Sequence, residues 1–226
     1  VDGIVNYGIG DWCAPFDGPA ISVNMSTFKA PVALTDTACY YRSARMLSKM
    51  SRVLGLDDPY LARSEEIRAA LLRNFVDADT GEVAGACQTS DGCVAFHHLL
   101  KPQEEARLME RLAERIAQNG WHIDYGILGS KYVLNMLGEY GRTDVIYKML
   151  TREDYPGYLY WVDHGCTTLA ECWNLGGSHN HYMFSDVSAV FYRYFAGIRP
   201  DGDIPAYRSF LLAPALDLAI DTLSCS

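Results

Sequence analysis

The chain has 226 residues, of which 49% are hydrophobic and 21% are charged, so it is long enough to bury a full core as one domain. Its formal net charge of −9 argues against a nucleic-acid partner and against an anionic membrane surface, because both bind clusters of Lys and Arg. No apolar run is long enough to span a bilayer, so no membrane segment is predicted.

Helical periodicity dominates after an irregular start over 1–34, where glycines and prolines interrupt short apolar pieces. Thr35 or Asp36 is expected to cap a long helix that ends at Gly55, and Pro59 to lie in the first turn of a second helix. Further helices are expected over 91–100, from Pro102 to Gly120, over 124–140, from Thr143, from Thr168, and from Ser185 to Gly197.

The last stretch changes character, because 208–212 followed by Pro214 predicts a strand. Successive antiparallel helices with short loops predict an all-α fold of stacked hairpins, and an α/α toroid closes such hairpins into a ring. We assign 1–203 to a partial α/α toroid, and 204–226 to the start of a C-terminal β-domain or a strand tail. The ring is expected to be incomplete, because the chain has too few helices for six hairpins.

The segment from Thr167 to Trp173 carries the first candidate for catalysis, Glu171. Thr168-Leu169-Ala170-Glu171 also has the form of a capping box, in which the glutamate would bond back to the cap N–H. A capping glutamate does not require a neighbouring indole or the following Asn180-His181 pair. Both interpretations of Glu171 therefore stay open at this point.

Four further residues are candidates for binding a sugar. Asp11 can accept hydroxyl groups and Trp12 can stack on a pyranose, although an Asx-turn with a core tryptophan explains them equally well. Trp173 and His181 could contribute a second indole and an imidazole. A metal at His179 and His181 would need a third ligand that the sequence does not signal, so neither a metal nor a cofactor is predicted.

The seven cysteines show no CxxC pair and no zinc-finger spacing. Cys87 and Cys93 could close a small disulfide loop, or each could be buried as a small hydrophobic residue. The pattern alone does not choose between these alternatives.

Several motifs, in order along the chain, resemble those of the α-L-rhamnosidases of glycoside hydrolase family 78. They are Gly10-Asp11-Trp12, Gly126-Ile127-Leu128-Gly129, Leu137-Gly138-Glu139-Tyr140-Gly141, Tyr155-Pro156-Gly157-Tyr158, 165–173, 178–184 and 196–201. The resemblance implies an (α/α)6 catalytic domain that hydrolyses terminal α-L-rhamnosides with inversion, and it implies that Glu171 is the general base. The implied partner is a rhamnose-containing oligosaccharide or glycoside.

The chain also departs from the family pattern. It lacks the acidic segment that carries the family's general acid upstream of the GDW motif, Ser185-Asp186 replaces a glycine, and Ala170 replaces an aromatic residue. We therefore expect a fragment, the C-terminal two-thirds of the toroid, that is weak or inactive alone. An exposed apolar patch would favour a homo-oligomer or association with the missing part of the domain.

Two other functions remain open. One is a non-catalytic carbohydrate-binding remnant that uses Asp11, Trp12, Trp173 and His181. The other is a different α/α-toroid enzyme, either another glycosidase or a sugar isomerase or epimerase. Binding of L-rhamnose without turnover would favour the first, and product analysis would identify the second.

Overall fold

The computed structural model describes residues 3–15, 29–202, 204, 206–216, 218, 220 and 222–225. The described residues form a predominantly helical protein, in agreement with the predicted all-α class. The predicted irregular segment 1–34 lies partly outside them, at 1–2 and 16–28. The elements are α1 (Val32–Leu54), α2 (Tyr60–Phe75), α3 (Gln88–Phe96), α4 (Pro102–Gln118), α5 (Ile127–Glu139), α6 (Thr143–Leu150), α7 (Tyr158–Asp163), α8 (Asp186–Val190) with a π-helical turn (Phe191–Phe195), β1 (Ile198–Pro200) and β2 (Phe210–Leu212).

The two ends of α1 differ in how well the sequence predicts them. Gly55 ends α1 in the left-handed conformation, as expected, and its N–H bonds to carbonyls of the last turn. The helix begins earlier than predicted, directly after Pro31, and the Thr35 hydroxyl bonds to the Val32 carbonyl inside the helix. Thr35 and Asp36 both lie inside the helix, so neither is the cap.

The helices form two layers, one of α1, α3, α5 and α8 and the other of α2, α4 and α6. Helix α1 packs against α2 and α3, α3 packs against α4 and α5, and α5 packs against α8. Thr89 at the start of α3 lies against Gly129 at the start of α5, and Gly92 one turn later lies against Val133, so these two helices run parallel. The N-terminal ends of α3 and α5 consequently lie side by side, and the loops that precede them share one end of the molecule.

The predicted C-terminal strand is present as a short antiparallel pair. Ile198 is opposite Leu212 and Pro200 is opposite Phe210. All of β2 is exposed in the part of the chain that the structure describes. Assignment of 204–226 to a separate β-domain stays a prediction. Among the described residues, no helix combines the length and the apolar character that a membrane crossing requires.

A buried carboxylate joins the ends of α3 and α5 to α4. Glu105, on α4, is only 5% exposed. It accepts hydrogen bonds from the Tyr140 hydroxyl at 2.8 Å and from His98 Nδ1 at 3.1 Å. The hydrogen bond to Glu105 raises the pKa of His98 above its ordinary value of 6.5.

This raised pKa predicts a pH-dependent contribution to stability. Because the folded pKa of His98 lies above the unfolded one, the contribution is complete below pH 6.5 and is lost as the pH rises through the folded pKa. We expect His98→Asn, which tolerates the positive φ of His98, to lose a few tenths of a kcal/mol of unfolding free energy at pH 5.5, since the imidazole is largely exposed. Urea titrations should show a smaller loss at pH 8.5. An equal loss at both pH values would contradict the prediction.

Candidate active site

Asp11 is fully buried and holds the N-terminus of α5. Its carboxylate accepts hydrogen bonds from the backbone N–H groups of Gly126, Leu128 and Gly129 at 2.9, 2.9 and 2.8 Å, and from the Thr89 hydroxyl. These N–H groups belong to the first turn of α5, where no carbonyl within the helix can accept them. Burial raises the pKa of the Asp11 carboxyl, and the hydrogen bonds counteract that rise.

These contacts correct the expectation that Asp11 binds a sugar. Its two oxygens are occupied by protein donors and have no exposed surface, so the residue has a structural role here. The same contacts explain why glycines are present in the motif 126–129. A Cβ at Gly126 would collide with the Trp12 carbonyl oxygen, and a Cβ at Gly129 would collide with Thr89 Oγ1. The glycines permit the close approach of the 11–12 segment to the helix.

Trp173 also lies in the core and not on a cleft wall. It is 1% exposed, and it stacks on Trp161 of α7 with ring centroids 4.6 Å apart. Its Nε1–H donates to the Tyr125 carbonyl at 2.9 Å, so its polar atom is satisfied by the protein. Phe184 packs at 4.4 Å on the same indole. The expectation that Trp173 contacts a sugar is therefore corrected, because this geometry leaves no free face.

The segment around Glu171 forms one arm of a two-armed loop, and the predicted helix from Thr168 is absent. The arms are joined where His181 N–H donates to the Leu169 carbonyl at 2.9 Å and Glu171 N–H donates to the Ser178 carbonyl at 2.8 Å. The Thr168 hydroxyl donates to the His179 carbonyl across the loop. Glu171 consequently does not close a capping box, and it shares a loop with His181.

The carboxylate of Glu171 is held in place by the opposite arm. Ser178 N–H donates to Oε2 at 2.7 Å, and Gly177 packs directly on the carboxylate. The side chain is half-buried. Among the hydrogen bonds of the described residues, none reaches Oε1. One oxygen therefore fixes the orientation, and the other, which has no donor among the described residues, can accept a proton or a hydrogen bond from a small molecule.

Trp12 reaches the same region through its neighbour Cys13. Cys13 Sγ lies 3.5 Å from Cys172 Sγ, so the residues that follow Trp12 and Glu171 touch. The indole of Trp12 is half-buried against the core. Loop contacts thus bring together the segments that carry Trp12, Glu171 and His181, which we define as the candidate site.

His181 has a defined tautomer when neutral. Its Nδ1 accepts the N–H of Met183 at 3.2 Å, which leaves the proton on Nε2. The ring is half-buried and is parallel to that of Tyr182, with centroids 5.4 Å apart. The Nε2–H group can therefore donate a hydrogen bond to an oxygen of a ligand.

Several contributors to this site were not identified from the sequence. Gly177 and Ser178 form the support for the Glu171 carboxylate, and Cys13 with Cys172 joins the two segments. The Gly176-Gly177 pair was the available signal, because two glycines before Ser178 are typical of a tight turn. No local signal indicates the cysteine contact, since its partners are 159 residues apart.

The parallel helices α3 and α5, with α4 and α6 packed on them, form an α/α hairpin domain that carries the Glu171 carboxylate on a loop at the N-terminal end of α5. The chain belongs to the bacterial α-L-rhamnosidase six-hairpin glycosidase domain family, whose model matches residues 1–195. This match confirms the family resemblance that the ordered motifs indicated. It also covers the segments that carry Trp12, Glu171 and His181.

Similar proteins include two bacterial α-L-rhamnosidases. The one from Streptomyces avermitilis is 31% identical over 92% of this chain and 20% of its own length. The one from Alteromonas is 27% identical over 92% of this chain and 24% of its own length. The chain thus spans about a fifth to a quarter of the relatives that it matches.

Solved structures confirm the fold class. The Streptomyces avermitilis α-L-rhamnosidase in complex with L-rhamnose superposes with a TM-score of 0.80 at 28% identity, over 93% of this chain and 20% of that one. The α-L-rhamnosidase from Dictyoglumus thermophilum gives a TM-score of 0.76 at 30% identity, over 88% of this chain and 23% of that one. The predicted six-hairpin helical architecture is therefore correct at the level of fold class.

Proposed function

We propose that this chain is part of an enzyme that hydrolyses terminal α-L-rhamnosides with inversion, and that Glu171 is its general base. The observation that carries this proposal is the Glu171 carboxylate, which is half-buried, oriented by Ser178 N–H and provided with one oxygen that accepts no protein donor among the described residues. Family membership supports the reaction class. The L-rhamnose bound by the Streptomyces avermitilis relative supports the sugar.

In this mechanism Glu171 removes a proton from a water molecule, which attacks the anomeric carbon on the face opposite the leaving group. A carboxylic acid on the other face protonates the departing oxygen, and in inverting enzymes the two carboxyl groups are about 6.5–9.5 Å apart, so that the water fits between them. We place that acid outside these 226 residues. The proposal is consistent with the share of the relatives' length, 20–24%, that the chain spans.

Trp12 and His181 are proposed to bind the sugar. The half-buried indole of Trp12 offers an apolar surface for the pyranose ring, and His181 Nε2–H can donate to a hydroxyl group. Asp11 and Trp173 support these groups indirectly. Asp11 fixes the start of α5 beside Trp12, and Trp173 anchors the arm that carries Glu171.

The proposal is tested with 4-nitrophenyl α-L-rhamnopyranoside and the native polypeptide that carries these residues. We expect release of nitrophenolate from this substrate and little release from the α-D-mannopyranoside. Proton NMR of the first product should show β-L-rhamnose, because inversion converts an α-glycoside into the β-anomer. No hydrolysis would refute the proposed activity, and α-L-rhamnose as first product would refute inversion.

The 226-residue chain is then assayed alone. We expect calorimetry to detect L-rhamnose binding, with turnover reduced by at least about 10² relative to the native polypeptide, because the acid is missing. Binding by a native polypeptide that shows no turnover would instead identify a carbohydrate-binding protein. Full activity of the chain alone would place the acid within these residues.

The support of Glu171 by Gly177 leads to a separate prediction. Gly177 has a φ of 75°, and an added Cβ would lie 2.5 Å from Glu171 Oε2. We expect Gly177→Ala to lower kcat on the rhamnoside by on the order of tenfold or more, because the carboxylate must move. The measurement is steady-state kinetics in the native polypeptide.

Gly165→Ala is the matched control. Gly165 also has a positive φ, 83°, but an added Cβ would meet no atom within 4 Å. Both variants should lose roughly 1 kcal/mol of unfolding free energy through backbone strain. Only Gly177→Ala should lose activity. Equal losses of kcat in the two variants would contradict the proposal that Gly177 positions the Glu171 carboxylate.

A further inference from the structure

The Cys13–Cys172 contact is a second chemical feature of the candidate site. The two sulfur atoms are 3.5 Å apart, and the side chains are 4% and 8% exposed. All seven cysteines are free, including Cys87 and Cys93, so the small disulfide loop considered from the sequence is not formed. Cys87 instead lies 3.3 Å from the Ser90 hydroxyl.

Both cysteines are held by rigid neighbours. Cys13 follows Asp11, whose carboxylate is fixed to the start of α5, and Cys172 precedes Trp173, which is stacked in the core. The two thiols therefore stay in contact without a covalent bond. A disulfide requires the sulfur atoms to approach from 3.5 Å to about 2.05 Å.

We propose that Cys13 and Cys172 form a reversible disulfide when the protein meets a peroxide, and that this bond ties the Trp12 segment to the Glu171 arm. The proposal goes beyond rhamnoside hydrolysis and does not depend on it. It assigns a covalent modification site to residues that touch both sides of the candidate site.

The reaction balances with hydrogen peroxide as the oxidant. The thiolate of Cys172 attacks one peroxide oxygen, giving a sulfenic acid and water after proton transfer. The Cys13 sulfur then displaces the hydroxyl group, which leaves as a second water, and the sulfur–sulfur bond forms. Two thiols and one peroxide become one disulfide and two waters.

The order of these steps follows from the environment. Both thiols are buried, and the contact with Cys13 lowers the pKa of the Cys172 thiol when the Cys13 S–H is the donor. We assign Cys172 as the thiol that reacts with peroxide and Cys13 as the resolving partner. A dithiol reductant reverses the bond by exchange.

The experiment uses the fully reduced chain, treated with one equivalent of hydrogen peroxide and digested without reductant. Mass spectrometry should find the peptides of Cys13 and Cys172 joined, with the loss of two hydrogens, in more than about half of the molecules. Because the bond closes a loop of about 160 residues, the urea midpoint should rise by about 1 M and return after reduction.

Cys166→Ser is the matched control, because Cys166 is a half-buried thiol shortly before the Glu171 arm. This variant should still form the bond, and Cys13→Ser and Cys172→Ser should not. If either serine variant fails to fold, the mass-spectrometric mapping of the disulfide in the chain without substitutions is the test of the proposal. A Cys172 sulfinic acid beside a free Cys13 thiol, or bonds spread among other cysteines, would overturn the proposal. Neither result bears on the hydrolase assay, which involves no oxidant.

Discussion

Replacing Glu171 with Gln should lower kcat on 4-nitrophenyl α-L-rhamnopyranoside by about 10²–10⁴ in the native polypeptide. The amide has nearly the shape of the carboxylate, and its oxygen can still accept the Ser178 N–H, so the loop should keep its structure. The amide cannot take a proton from water at neutral pH. The loss should therefore appear mainly in kcat, with a smaller change in KM.

The control for this variant is Glu114→Gln, which removes a carboxylate from the exposed face of α4. It should leave both kinetic constants unchanged. Urea titrations of the two variants should agree with the parent protein within about 0.5 kcal/mol. A loss of less than tenfold for Glu171→Gln would show that another group activates the water.

Local signals were enough to predict most helices. Gly55 ends α1 and Pro102 opens α4, because a left-handed glycine and a first-turn proline act through their own backbone geometry. The start of α1 was predicted too late in the chain. The helix begins directly after Pro31, and the Thr35 hydroxyl donates to the Val32 carbonyl within the helix instead of capping it. The short α7 was not predicted, because its six residues provide less than two turns of periodicity.

The error around Glu171 has a different origin. Thr168 to Glu171 satisfies the local pattern of a capping box, but long-range pairing with the arm at 178–181 takes the backbone hydrogen bonds instead. The sequence singled out Glu171 and His181 as candidates, and the structure places them on one loop. It could not show that Ser178 N–H orients the carboxylate, because this contact depends on the turn at Gly177.

The expectations for Asp11 and Trp173 failed because each of these side chains is suited both to a binding cleft and to the interior of the protein. An indole serves a cleft or a core equally well, and only the stack with Trp161 decides between them. The close backbone approach at Asp11 occurs at Gly126 and Gly129, where an added Cβ would collide with the Trp12 carbonyl and with Thr89. The group that approached was the N-terminus of α5 and not a ligand, a distinction that only the tertiary structure provides.

The hydrogen bonds between Asp11 and the N-terminus of α5 lead to the largest expected loss of stability. Asp11→Ala removes the acceptor of three backbone N–H groups at the start of α5 and of the Thr89 hydroxyl, and both Asp11 and Thr89 are fully buried. Unpaired buried donors are costly, so we expect a loss of about 4 kcal/mol of unfolding free energy. Asp11→Asn should also lose stability, because its NH₂ group would face a backbone N–H. Urea unfolding followed by the fluorescence of the buried indoles measures both losses.

Asp79→Ala is the control, since Asp79 is exposed and its carboxylate accepts no hydrogen bond from the described residues. It should change the unfolding free energy by less than about 0.5 kcal/mol. If Asp11→Ala behaved like this control, the carboxylate would be dispensable for α5, and a role in binding would have to be reconsidered. If the expected loss is found, Asp11 supports the site only through the fold, because the 11–13 segment carries both Trp12 and Cys13 to the Glu171 arm.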